Sequence, residues 1–511
     1  MRVGRTHSIA LLGLTGVVVE IEADISSGLP AFALIGLPDA ALSQSKERVR
    51  AAIGNSGSDF PGQKITVNLS PAALPKQGSA FDLGIAIAVV AAAGEVQSES
   101  VHGVVHIGEL GLDGRLRPVN GILPAVLAAS RAGYTSVMVP TANADEASLV
   151  PGIRVIAVAS LREAAIWHGG EFDPEPIEPI VRTQVEATPE PVGDLADVIG
   201  NTDAVEAMLV AAAGGHHVFL LGPPGAGKTM LAARLPGLLP DLEAQAALDV
   251  GSVRSLAGLP VGGELSLRPP FESPHHTASA AALVGGGSAV IRPGAAARAS
   301  DGVLFLDEAP EFKPTVLDAL RQPLESGIIT IHRASAVASF PGRFQLVLAA
   351  NPCPCGQYGA PDSECTCPPQ ARRRYVGRLS GPLLDRIDIQ FRVSRITAAH
   401  LRAAQDQPRT SSAEARARVA AARGAAAERL SETPWRLNSQ VPGSWLRGPR
   451  MRLPSAVTAS LDRALERGGL TMRGYDRVLR LAWSVADLQG AAQPDASHLG
   501  QALYLRRAIT T

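Results

Sequence analysis

Along the first 170 residues, short apolar runs alternate with longer stretches of helical period. The spacing predicts strands at 16–21, 64–69, 135–139 and 155–158, and helices at 40–54, 82–93 and 125–132. The alternation resumes from about 195 to 395, where the uninterrupted apolar runs 218–221, 303–306 and 344–350 read as buried strands. Beyond 396 the period is helical, the composition is rich in Ala, Leu and Arg, and the pattern breaks near 434–454. Between these blocks, 171–194 has no apolar period and holds seven acidic residues, five prolines and one arginine, so it reads as an extended linker. The expected layout is an α/β domain over 1–170, an acidic Pro-rich linker over 171–194, an α/β core over 195–395 and an Arg-rich helical domain over 396–511. No repeat of 20 to 50 residues is evident.

Composition agrees with that partition. A chain of 511 residues at about 150 per domain gives roughly three domains. Hydrophobic content of 46% with 19% charged residues marks a soluble globular chain and excludes disorder on a large scale. The stretch 9–19 after Arg2 and Arg5 superficially resembles a secretory signal, but Gly13, Thr15 and Gly16 interrupt it and Glu20 and Glu22 follow. No segment approaches the roughly 18 apolar residues of a membrane span, so a cytoplasmic protein without membrane partners is expected. The net charge of -1 hides an asymmetry: residues 371–511 hold 24 Arg, no Lys and 11 acidic residues, about +13, leaving about -14 elsewhere. A polyanionic partner and solvated Arg-rich helix faces both account for this.

The densest chemistry follows the run 218–221. Gly222, Pro223, Pro224, Gly225, Ala226, Gly227, Lys228 and Thr229 stand between that predicted strand and a predicted helix. Glycines there let backbone N–H groups close around phosphate oxygens, and the helix N-terminus adds its positive end. Lys228 is placed to reach the β- and γ-phosphates of ATP and Thr229 to coordinate Mg²⁺. The run 303–306 ends in Asp307 and Glu308, an arrangement in which the aspartate holds the magnesium shell and the glutamate activates water. The strand 344–350 ends in Asn351, which resembles the sensor-1 residue of AAA+ enzymes; a polar strand cap is the alternative. Arg386, in LLDRID, resembles an arginine that reaches a neighbouring subunit's nucleotide, the alternative being a salt bridge within the subunit. Arg473, in MRGY, resembles a sensor-2 residue. A site shared between subunits implies a homo-oligomeric ring, a hexamer by the resemblance.

RPPFESPHHT at 268–277, LVGGG at 283–287, NPCPCG at 351–356 and LSGPLLDR at 379–386 are similar to the YifB/ComM family of magnesium-chelatase-like AAA+ ATPases, over nearly the whole chain. The resemblance implies an N-terminal Lon-protease-like α/β domain of the ribosomal S5 domain 2 type, an AAA+ P-loop core and a C-terminal helical lid. It also implies an insertion at about 251–299 and a β-hairpin at 328–340. The hairpin's turn region carries His332, Arg333 and Ser335, with His332 and Arg333 as candidate DNA contacts. His275 and His276 suit a loop role better than metal binding, since adjacent side chains diverge. Ser79 sits near the place of the Lon nucleophile, but 120–129, which would supply the activating lysine, contains none, which argues against peptidase chemistry.

All four cysteines, Cys353, Cys355, Cys365 and Cys367, fall within fifteen residues. Clustered thiols suit a structural Zn²⁺ site that staples the 357–364 loop, free or redox-sensitive thiols being the alternative. The resemblance implies an ATP-hydrolysing motor on branched or single-stranded DNA, of the branch-migration helicase kind. A magnesium-chelatase ATPase subunit and a protein remodeller with an inactive Lon-like domain are the rival readings.

Overall fold

The computed structural model describes residues 3–36, 40–76, 78–180, 193–287, 291–333, 337–359, 365–397, 402 and 409–506. Half of the predicted linker (181–192), the hairpin residues Ser335 and Ala336, and 360–364 of the cysteine loop lie outside the described residues.

The apolar stretch near the N-terminus is two strands folded on each other. β1 (Val3–Leu12) and β2 (Thr15–Ser26) pair antiparallel across a turn at Gly13. Val19, Ile21 and Ala23 of β2 are buried while Glu20 and Glu22 lie within ion-pair reach of Arg5, the period-2 alternation of a sheet with one buried face. With β3 (Ala31–Ile35), β4 (Lys64–Ser70), β5 (Val104–His106), β8 (Ser136–Pro140) and β9 (Arg154–Val158) they form a mixed seven-stranded sheet in the order β3-β4-β2-β1-β5-β8-β9. A small ribbon of β6 (Glu109–Leu110) and β7 (Leu116–Arg117) lies apart. Helix Asp82–Ala93 is buried on nearly every face, which its unbroken apolar sequence requires. The predicted helix 40–54 is divided at Gln44 into Ala40–Ser43 and Ser45–Asn55.

The second sheet is all parallel. β11 (Phe271–Glu272), β14 (Val303–Leu306), β17 (Gln345–Ala350), β10 (Val218–Leu221) and β18 (Ile389–Arg392) lie side by side in that order. Strand order reverses at β10, so the loop leaving it opens onto the crevice at the carboxyl end of the sheet, where α/β folds hold ligands. Two antiparallel ribbons project from this unit: β12 (Gly285–Gly286) with β13 (Arg292–Pro293), and β15 (Ile328–His332) with β16 (Val337–Pro341). His332, expected in a turn, closes strand β15 opposite Val337.

The C-terminal helices share a core with that sheet. Leu220, Phe305 and Val347 belong to one apolar cluster with Val419, Leu479, Leu481 and Leu499. Helix Ser412–Arg429 opens on a capping box of Ser411 and Glu414, and the Asp194 carboxylate at the end of the linker accepts from the Ser412 backbone N–H at 3.1 Å. Deeper in, His216 bridges Asp388 at 2.9 Å and Ser484 at 2.8 Å, and Arg477 lies 3.4 Å from Asp388. Burial acts to raise the Asp388 carboxyl, but the hydrogen bond and charge of His216, with the charges of Arg480 and Arg477, together hold it far below the usual carboxylate range.

The N-terminal unit docks on the opposite face of the parallel sheet, where Leu14 packs against the cluster of Leu221, Leu304, Leu306, Val253 and Phe340. Helix Ala244–Ala257 packs on helix Ile122–Arg131, and Gly13 forms a β-bridge with Ser339 of β16. The insertion expected from about 251 therefore begins inside an ordered helix, Gly251 being one of its buried residues. Among the described residues no helix is long and apolar enough to cross a membrane.

Candidate nucleotide site

All four residues of β10 are buried, and the Gly222 N–H donates to the Ala350 carbonyl at 3.1 Å, fixing where the loop begins. Gly225 and Gly227 then turn with φ of 73° and 89°. This left-handed backbone favours glycine, and no other group lies within 4 Å of where a β-carbon would stand at either position. The result is an open cradle at the N-terminus of helix Lys228–Leu238, where free N–H groups attract an anion.

Lys228 is buried, and its ammonium donates to the carbonyls of Gly222 and Pro223 at 2.7 and 3.0 Å and to Asn351 Oδ1 at 3.1 Å. Burial lowers its pKa, opposed by the charges of Asp307 and Glu308. The Thr229 hydroxyl donates to Asp307 Oδ2 at 2.7 Å, so a hydroxyl and a carboxylate, both hard oxygen ligands, stand together. Glu308 has φ 51° and ψ 41°, a conformation costing about 1 kcal/mol or more outside glycine, and one that clusters at functional sites. Its carboxylate lies 3.4 Å from His276 Nδ1. Tyr375 packs nearby; burial, then the charges of Glu311 and Glu308, push its hydroxyl up to about 12.

Gly222 through Thr229, Asp307, Glu308 and Asn351 thus meet at one end of the sheet. Arg386 and Arg473 do not join them. Arg386 donates to the Pro382 carbonyl at 2.6 Å and pairs with Glu325, while the largely exposed Arg473 lies 3.7 Å from Asp385. Burial lowers the Arg386 pKa, and the neighbouring charges of Arg321 and Arg473 lower it further, so the arginines form a second cluster of their own.

His332 and Arg333 are exposed at the β15-β16 tip, and the Arg333 guanidinium lies against Gly286 of the β12-β13 ribbon, whose own Arg292 is exposed. The 328–340 hairpin was expected, but the β12-β13 ribbon beside it was not foreseen from the sequence, because its strands are two residues each. The contact of His276 with Glu308 was equally hidden: it depends on β11 lying beside β14, which places the loops after both strands together.

In the N-terminal unit the Ser79 hydroxyl donates to the Glu109 carboxylate. Lys76, three residues earlier and fully buried, donates to the Pro71 carbonyl and has its pKa lowered by burial. The four cysteine sulfurs lie within 4.8 Å of one another.

Comparison with known proteins defines the class. Three consecutive stretches match magnesium chelatase subunit ChlI: residues 21–143 the subunit itself, 194–401 the magnesium chelatase domain, and 409–506 the ChlI C-terminal domain. Over 508 residues, 99% of each chain, the protein is 50% identical to an uncharacterised protein of Mycobacterium tuberculosis. It is 40% identical to the competence protein ComM of Haemophilus influenzae, covering 100% of this chain and 98% of that one. It is 38% identical to the uncharacterised protein YifB of Escherichia coli, covering 99% and 97%. The chain belongs to the ComM/YifB family of magnesium-chelatase-like AAA+ ATPases. A shorter similarity, 28% identity over 156 residues, joins 29% of the chain to 19% of a Lon protease of Trichlorobacter lovleyi.

Proposed function

We propose that this protein is an ATP-driven motor acting on DNA as a ring of identical subunits, of the branch-migration kind. The observation that carries the reading is the division of charge between two places. One chain assembles the cradle, the acids and Asn351, whereas Arg386 and Arg473 gather elsewhere. The residues fit the groups the family implies, since the open cradle suits a triphosphate and the Thr229–Asp307 oxygens suit a hard divalent cation. Bound Mg²⁺ would supply neutralisation of phosphate charge. Lys228 turns from its loop carbonyls to phosphate oxygens, Asn351 and Glu308 orient the attacking water, and Glu308 takes its proton. Arg386 and Arg473 reach the nucleotide of the adjoining subunit.

DNA as the substrate is supported by the two ribbons, with Arg292, His332 and Arg333 exposed on them, and by the family tie to a competence protein. The decisive experiment measures ATPase and junction-migration rates of wild type beside Lys228→Ala and Glu308→Gln. Wild type is expected to migrate branched DNA and to gain ATPase activity on binding it. Activity indifferent to single-stranded, duplex and forked DNA, with no binding at low salt, overturns the DNA reading.

The family description itself favours a second reading, an ATPase subunit of a magnesium chelatase. ATP turnover raised by a porphyrin-bearing partner and not by DNA would establish it. A Lon-like peptidase is disfavoured, because Ser79 donates to a carboxylate where that chemistry needs a lysine amine. Casein degradation abolished by Ser79→Ala would reverse that.

A further inference from the structure

The four cysteines lie beside the candidate nucleotide site. Cys353 is buried two residues past Asn351, and its sulfur lies 3.3 Å from that of Cys355 and 3.7 Å from that of Cys365. Cys355 and Cys365 are also 3.7 Å apart. A disulfide has its sulfurs at about 2.05 Å, so none of these pairs is bonded. Four thiolates about 2.3 Å from one tetrahedral Zn²⁺ stand about 3.8 Å from each other; two of the pairs here are at 3.7 Å, and all four sulfurs lie within 4.8 Å.

The surroundings of the cluster matter as much. The Gly356 N–H donates to the Cys353 carbonyl at 2.9 Å, closing a tight turn in which Gly356 has φ 78°. Gly356 packs so closely on Pro224 of the phosphate loop that a β-carbon there would come within 2.7 Å of the proline ring. On the other side, Cys367 leads through Pro368 into helix Pro369–Val376. That helix presents Tyr375, and just past it Arg378 donates to the Pro310 carbonyl at 3.2 Å and pairs with Glu311 at 3.1 Å, directly after Glu308. The cysteine turn therefore touches the phosphate loop, carries Asn351 at its start, and braces the Glu308 segment at its end.

We propose that Cys353, Cys355, Cys365 and Cys367 bind one Zn²⁺ per chain as a tetrathiolate, and that this closed site is a strut of the ATP site. Binding forms four Zn–S bonds, and the thiol protons pass to solvent. The zinc fixes the turn that sets Asn351 and Pro224 and the helix that holds the Glu308 segment. Its loss impairs turnover more than nucleotide binding. The second half rests on the ATPase reading; the first does not.

The test takes full-length wild type, purified without chelators, and measures zinc by mass spectrometry together with native thiol reactivity. About one zinc per chain and protected thiols are expected; below about 0.2 zinc with four reactive thiols overturns the site. Cys355→Ser and Cys367→Ser, each at a partly or fully exposed position, are expected to lose the zinc. Their kcat should fall about 10- to 100-fold while the Kd for ATP changes little, as displacement of a positioning group requires. Zinc-free variants with wild-type kcat overturn the strut. Should the variants be insoluble, zinc released from wild type by a mercurial, with kcat measured alongside, decides the same point. Wild type that holds zinc yet hydrolyses no ATP sinks the ATPase reading and leaves the metal site standing.

Discussion

The two charged centres of this molecule are built differently. Around Lys228 the polar groups converge: the ammonium is buried, touches Asn351 from 123 residues away, and stands one residue from the Thr229–Asp307 pair. Around Arg386 the charges pair off instead, Glu325 with Arg386 and Asp385 beside the exposed Arg473, and among the described residues the buried Arg386 Nε has no hydrogen-bond partner. The first is a candidate nucleotide site assembled within one chain. The second is a set of ion pairs standing apart from the first, the arrangement that the proposed ring requires of a surface completed by a neighbouring copy. Residue type alone does not distinguish a catalytic arginine from a structural one; its company does.

The largest effects that would sharpen this contrast fall on the first centre. Lys228→Ala should abolish both ATP binding and turnover, whereas Glu308→Gln should bind ATP and stall; fluorescent-nucleotide binding beside phosphate release separates them, and normal turnover in both removes the site. Arg386→Ala should cost about 10³- to 10⁵-fold in turnover with nucleotide binding kept. Glu325→Gln, which breaks the same ion pair, should leave most activity, and an equal loss in both would make Arg386 structural. Removing the anchor behind the second centre should act on stability instead. Asp388→Ala strands Arg477 and His216 in the core and should lower the unfolding free energy by about 3 to 5 kcal/mol, read by thermal or denaturant melts. Arg473→Ala should change stability by about 1 kcal/mol or less, because its pair with Asp385 is long and exposed, yet slow turnover measurably. A melt shifted without any change of rate would refute its role. The smallest effect is expected at the ribbon tip, where Arg333→Ala should weaken DNA binding evenly across sequences and reduce the salt slope by about 1.

The excess of arginine in the C-terminal part reads differently once folded. Arg416 pairs with Asp241, Arg418 with Glu206, Arg429 with Asp487 and Arg447 with Asp476. Part of the basic tail therefore balances acidic groups of the same chain, and the ribbons carry the case for DNA better than net charge does.

Elements set by local chemistry were legible beforehand. Strands 218–221 and 303–306 and helix 82–93 fall where their apolar runs placed them, because an uninterrupted apolar run has nowhere to go but a buried element. The phosphate loop was legible for the same reason: its glycines, lysine and threonine act within one turn of chain. The cysteine cluster was half legible, since proximity in sequence brought the pairs near and only the fold drew the sulfurs within 4.8 Å.

What the sequence by itself determined, then, is the glycine-rich loop after β10, the acids at the end of β14, the family and the order of sheets and helices. Each depends on contacts a few residues long. Tertiary structure decided which of those groups meet: Asn351 at Lys228, His276 at Glu308, Arg386 at Glu325, Gly356 at Pro224, and a C-terminal helical segment sharing the core of the parallel sheet. These pairings depend on which strands lie side by side, and strand order is fixed by the packing of the whole chain.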